Sequence, residues 1–183
     1  MQTRVKISIL IASVILMQCM TDAMCQENNS GKVKQELNYK HLVGVGFGFT
    51  FVNVNVSGST SEASGLYIPT VSLDYDYHLN PKWALGFMGA FEFDQYVVTD
   101  NQIERENALI LALVGKYNFT KYFAVFAGGG IELEQHDNLG VLRLGVEYAI
   151  DVGEHWALVP KLHFDFKGSY NTWSLRLNFA RKL

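Results

Sequence analysis

Residues 67–93 read YIPTVSLDYDYHLNPKWALGFMGAFEF, and their period decides the fold. The odd positions Tyr67, Val71, Leu73, Tyr75, Tyr77 and Leu79 are apolar or aromatic. Between them lie Thr70, Ser72, Asp74, Asp76 and His78. After Asn80, Pro81 and Lys82 the alternation resumes, with Trp83, Leu85, Phe87, Phe91 and Phe93 against Ala84, Gly86, Met88, Ala90, Glu92 and Asp94. A period of two sends alternate side chains to opposite faces of a β-strand. One face is greasy and the other small or charged, so the stretch is a strand, a turn and a second strand. Leu79 and Trp83 share a face and can pair only across an odd loop. The simplest is the three residues 80–82, which sets Tyr77 opposite Leu85, Tyr75 opposite Phe87 and Leu73 opposite Gly89.

The unit recurs along the chain. A first strand begins at His41 with Val43, Val45, Phe47, Phe49 and Phe51 facing away from Gly44, Gly46, Gly48 and Thr50. Its phase then flips to Val52, Val54 and Val56. That predicts either a bulge near residues 51–52 or a change of surroundings there. Further alternating runs follow: Leu109 to Phe119, Phe123 to Leu133, Leu142 to Ile150, Trp156 to Phe166 and Trp173 to Phe179, making eight strands. Polar breaks at 57–65, 99–105, 135–138 and 167–171 alternate with tight turns. Parity gives a three-residue turn between Phe119 and Phe123, and five residues between Ile150 and Trp156. Pro160 lacks an N–H for the ladder, so a bulge or distorted register is expected there.

Volume decides which face is inside. An eight-stranded barrel encloses about enough space for its own side chains. The rings and aliphatics of the greasy face would overfill it, whereas Gly44, Gly46, Gly48, Ala84, Gly86, Ala112, Gly128, Gly130 and Gly145 fit a narrow lumen. The greasy face carries no charge between Val43 and Phe179, as acyl chains demand. Trp83 and Trp156 follow tight turns while Phe166 and Trp173 flank a long break, placing rings at two interfaces. The expected fold is therefore an all-β, eight-stranded, antiparallel up-and-down transmembrane barrel over residues 41–183. Its lumen would hold Asp74, Asp76, Glu92, Asp94, Glu132, Glu134, Glu147 and Asp165 against Lys116, Arg143, Lys161 and Arg176. Mixed charge at that density predicts a salt-bridged plug.

A net charge of −3 and the lack of a basic run exclude nucleic acid as a partner. Arg4 and Lys6 precede an apolar run over 7–17, and Ala23 offers a small residue for cleavage. These predict a signal peptide over 1–23, followed by a polar tail over 24–40. The run is shorter than the roughly 20 residues of a spanning helix. Cys19 and Cys25 both lie in this region, and Gln18 fits poorly before a lipidated Cys19. The body contains no cysteine for disulfides or thiolate metal sites.

The turn Tyr75 to Gly86 (YDYHLNPKWALG), the glycine–aromatic first strand and the closing WSLRLNF of Trp173 to Phe179 resemble the eight-stranded outer-membrane β-barrel family, which includes OmpA-type transmembrane domains and OmpX-like small barrels. The resemblance implies a Gram-negative outer membrane, lipid and lipopolysaccharide as surroundings, and insertion machinery as a partner during biogenesis. It also implies an extracellular ligand at the outer loops. The chain ends in Leu183 where such barrels usually end in an aromatic, with Phe179 the nearest candidate. Some similar barrels modify lipid A with a His and a Ser, but no His-x-Ser occurs here. His163 near Asp165, His136 beside Asp137, His78 near Asp76, and Glu132 with Glu134 are the candidate pairs. Each is better read as lumen filling or a wet rim. Gly128 to Gly130 lie within a strand and provide close packing rather than a phosphate loop. The expected role is structural, adhesive or surface-interacting, with no catalytic residue, cofactor or metal. The alternatives are a narrow channel for small solutes or ions and a lipid A-modifying enzyme.

Overall fold

The computed structural model describes residues 39–54, 64–93, 95–98, 103–134 and 138–183. The expected leader, most of the polar tail, Asp94 and the His136–Asp137 pair lie outside them. The strands are β1 (His41–Val54), β2 (Ser64–His78), β3 (Trp83–Glu92), β4 (Gln95–Val98), β5 (Ile103–Glu106), β6 (Leu109–Asn118), β7 (Phe123–Leu133), β8 (Leu139–Tyr148), β9 (Ile150–Asp151), β10 (Trp156–Phe166) and β11 (Asn171–Lys182). Neighbours pair antiparallel in chain order, and β11 pairs with both β10 and β1. That closes the sheet and leaves no unpaired edge, the condition a bilayer imposes on strands. β8 and β9 form one wall interrupted at Ala149, and β4 with β5 is a hairpin beyond β3 and β6. The barrel therefore has eight walls, as expected.

Registers follow from parity. Tyr77 faces Leu85, Tyr75 faces Phe87 and Leu73 faces Gly89. Asn80 shapes the first turn, its Oδ1 accepting the N–H groups of Lys82 and Trp83 at 2.9 Å each. Thr120 does the same for Tyr122 and Phe123 at 3.2 and 2.9 Å. Short polar side chains that bond their own backbone two and three residues on are a local cause of turning.

Four local expectations are corrected. The third tight turn has Ile150 opposite Leu158, with Val152 N–H bonded to Trp156 O, so the loop is 153–155 and not five residues. Gly153, at φ +97°, takes the left-handed conformation that the shorter turn requires. Pro160 causes no register shift: Lys161 opposes Glu147 and Leu158 opposes Ile150 in one continuous register. Pairing lapses only on the β8 side, at Tyr148 and Ala149, while Pro160 stays aligned with Leu177 on β11. No bulge occurs at 51–52 either, since β1 keeps one register with β2 and β11 throughout. Phe51 still points out, 5.2 Å from the Trp173 ring, and Val52 points in, fully buried. The phase flip marks an apolar end of the lumen. Finally, the 99–105 break contains the start of β5, whose run IERE has no apolar face to betray a strand.

The outer surface is the greasy face. Phe47 is 67% and Leu113 68% exposed in mid-strand. Rings gather at both ends of this belt. At the end bearing the tight turns, Trp83 lies 4.9 Å from Tyr117, and Trp156 stacks on Phe179 at 4.6 Å. At the end bearing the longer connections, Phe51, Tyr67 and Trp173 cluster, as do Phe91 and Phe93. Amphipathic rings at two levels with aliphatics between them mark the two interfaces of a bilayer. The chain is a membrane-spanning β-barrel. Phe47→Arg is expected to lose about 2–4 kcal/mol of stability in lipid. Urea titration in vesicles checks it, and an unchanged midpoint would mean that this face does not meet acyl chains.

Candidate functional site

Alternation aims every second side chain of eight strands into one narrow interior, and that interior is the candidate site. At the turn end, Leu42, Ala157, Val159 and Ala180 form a buried apolar cluster, with Tyr39 and Ala149 packed against it. Tyr39 stands edge-on to His78 at 5.1 Å. Its phenol is pushed up to about 12, first by burial and then by the charges of Asp151, Asp76 and Glu147. The end of the polar tail thus helps to cap the lumen.

Beyond this cap lies a carboxylate–lysine network. Lys116 Nζ donates to Asp76 at 2.7 Å and to Glu147 at 2.8 Å. Lys161 Nζ donates to Asp74 at 2.8 Å and lies 3.1 Å from Glu147. Asn178 Nδ2 donates to Asp74 at 2.7 Å. Asp74 and Asp76 border a void of about 10 Å³, room for about one water molecule. Farther along, Arg143 holds Asp165 with two bonds of 2.7 Å, and Arg176 donates to His163 Nε2 at 2.8 Å. Met88, Ala112, Val114 and Phe126 fill the space beside them.

A second cap closes the loop end. Lys167 lies 2.6 Å from Glu132 and 4.0 Å from Glu92, and the Tyr170 hydroxyl donates to Glu132 at 2.7 Å. Val52, Ile68 and Tyr170 then form a buried cluster supported by Leu66 and Leu139. Thr50 bridges Thr70 and Ser174 at 3.0 and 2.8 Å. Among the described residues, apolar groups cluster at both ends of the interior and ion pairs lie between them. Buried charge is tolerated because the partners are close and hydrogen-bonded.

The expected lumen residues Asp74, Asp76, Glu92, Glu132, Glu147, Asp165, Lys116, Arg143, Lys161 and Arg176 are all buried inside. Glu134 is only half-buried at the end of β7, its N–H bonded to Asn138 Oδ1 at 3.3 Å. Three of the candidate pairs lie within the described residues, and in each a carboxylate is engaged by a cation. Asp165 is engaged by Arg143 and sits 4.0 Å from His163. Asp76 is engaged by Lys116, while His78 faces Tyr39. Glu132 is engaged by Lys167. Among the described residues no three His, Cys, Asp or Glu side chains are grouped to hold a metal. Lys167 and Tyr170, within the 167–171 break, were missed. Parity could have found Lys167, which continues the inward series of Lys161, His163 and Asp165 beyond the strand. Nothing local marks Tyr170.

Several solved structures share this architecture, among them an outer membrane protein. OprG of Pseudomonas aeruginosa is 14% identical, over 81% of this chain and 98% of that one, at a TM-score of 0.54. The N-terminal barrel domain of Pseudomonas aeruginosa OprF is 10% identical over 79% and 98%, at 0.53. Ail, the attachment invasion locus protein of Yersinia pestis, is 8% identical over 80% and 100%, at 0.52. At such identities the likeness is one of fold, and it agrees with the barrel resemblance read from the sequence. No curated protein matches the chain. A family model described as "Putative MetA-pathway of phenol degradation" matches residues 30–178, nearly the whole barrel. On that match, the chain belongs to the family of the putative MetA-pathway of phenol degradation, built as an eight-stranded outer-membrane barrel.

Proposed function

We propose that the protein is a sealed, non-conducting and non-enzymatic barrel with a structural, adhesive or surface-interaction role. Its four longer connections face outward and its tight turns face the periplasm. A ligand would meet the outward connections, and the insertion machinery would meet the chain during assembly. The observation that carries this reading is the filled lumen: Lys116 and Lys161 reach carboxylates on strands that are not their neighbours, Arg143 pairs with Asp165 on the adjoining strand, and Lys167 reaches in from beyond β10, between two apolar caps. A sealed interior leaves the outer surface and the loops to do the work. His163, 3% exposed and bonded to Arg176, also lacks the access to lipid that a lipid A-modifying enzyme would need.

Planar-bilayer recording of the purified chain tests the reading. Only background current is expected. Steady unitary openings, altered when Arg143 or Glu92 is replaced, would instead establish a narrow channel. That second reading draws on the family description, which names a pathway for a small aromatic compound. It would require segment 167–170 to leave the lumen. Incubation with lipid A is expected to leave the mass of the lipid unchanged.

A further inference from the structure

The greasy surface is not evenly convex. A shallow, apolar groove of about 1030 Å³ crosses it, lined by outward side chains such as Trp83, Tyr117, Leu144 and Leu162. Its floor is low because Gly115 and Ala127, two small residues, pair across β6 and β7 between Leu113 on one strand and Val125 on the other. At its turn end the groove reaches Trp83 and Tyr117, beside the two neighbouring turns that carry Lys82 and Lys121. Both lysines are exposed, and neither turn, 79–83 nor 119–123, contains an acidic residue. Lys121 is steadied over the Tyr122 ring at 4.3 Å. The next turn, 153–155, carries the exposed Glu154, and Asp151 just before it is engaged by Lys182 at 2.6 Å. An apolar trough that ends between two cations at an aromatic belt complements a molecule with a fatty chain and an anionic head. Lysines at this level reach into the headgroup layer and attract anionic lipid.

We propose that the groove is a binding site for one anionic phospholipid of the leaflet at the turn end. An acyl chain lies along the Gly115 and Ala127 floor, and the phosphate sits between Lys82 and Lys121. The inference needs the barrel to be in a bilayer but is independent of whether the lumen conducts.

Native mass spectrometry of the full chain tests it, after release from nanodiscs of equal phosphatidylglycerol and phosphatidylcholine. One retained phosphatidylglycerol is expected, preferred over phosphatidylcholine by roughly 10- to 30-fold, the scale that two lysines at an anionic surface supply. K82Q/K121Q is expected to abolish the preference. G115L should reduce retention by filling the floor. The barrel should accept it, because a Cβ at position 115 would meet only Ala127 O, at 3.9 Å. Gel mobility before and after heating confirms that each variant is folded. Equal retention of the two lipids, or a preference that survives the lysine replacements, would overturn the proposal. Retention untouched by G115L would overturn the groove as the site.

Discussion

Lys116→Met is expected to destabilise the folded barrel by about 3–5 kcal/mol, because it leaves the buried Asp76 without its cation and Glu147 with one in place of two. Lys116 is the only ion-pair partner of Asp76 among the described residues and one of two for Glu147, all three nearly free of solvent. Methionine keeps all but the terminal atom of the side chain's length, so little of the loss comes from packing. The measurement is equilibrium urea unfolding in detergent or lipid, followed by tryptophan fluorescence. Removing the stranded charges as well, in the triple variant with Asp76→Asn and Glu147→Gln, should recover part of the loss. A single variant as stable as the parent would mean that water reaches the network, and with it the sealed lumen would fall.

The second large effect is expected at Gly128, where Gly128→Val should yield no folded barrel. A Cβ there would fall on the Leu113 carbonyl and lie 2.6 Å from Val114 Cα. Overpacking a core costs about 1–3 kcal/mol when side chains can yield. Here the atoms in the way are main chain, held in the β6–β7 ladder, so the walls must separate. The adjacent Gly129→Ala is the control: its Cβ would meet only Val141 O, at 3.7 Å, and the variant should fold normally. Unheated gel electrophoresis, in which a folded barrel migrates differently from the denatured chain, separates the two outcomes. A compact band for Gly128→Val would show that β6 and β7 pack less closely at this point than described.

Much of the candidate site was legible because parity along a strand is a one-dimensional property. Asp74 and Asp76 must share a face with Glu92 once the turn at 80–82 is three residues long. Arg143 and Asp165 fall inside by the same count. Lys167 escaped because it stands one residue past the end of β10, inside the polar break, although the inward count of Lys161, His163 and Asp165 runs on to it. Tyr170 escaped because its burial comes from the way segment 167–170 folds back over the lumen. Pro160 misled for a different reason. Its missing N–H suggested distortion, yet its two neighbours hold the register and only one side of the ladder lapses.

From the sequence alone came the number of strands, the faces they present, two of the three tight turns and the direction in which the rings point. All of these depend on local alternation, on turn chemistry and on the volume that eight strands can enclose. Only the tertiary structure decided which lysine meets which carboxylate, because those partners lie up to 87 positions apart and their pairing depends on how the walls close. It also revealed the apolar caps at each end of the lumen and the trough on the outer wall. Both arise where side chains from several strands meet, and no single stretch of sequence records that meeting.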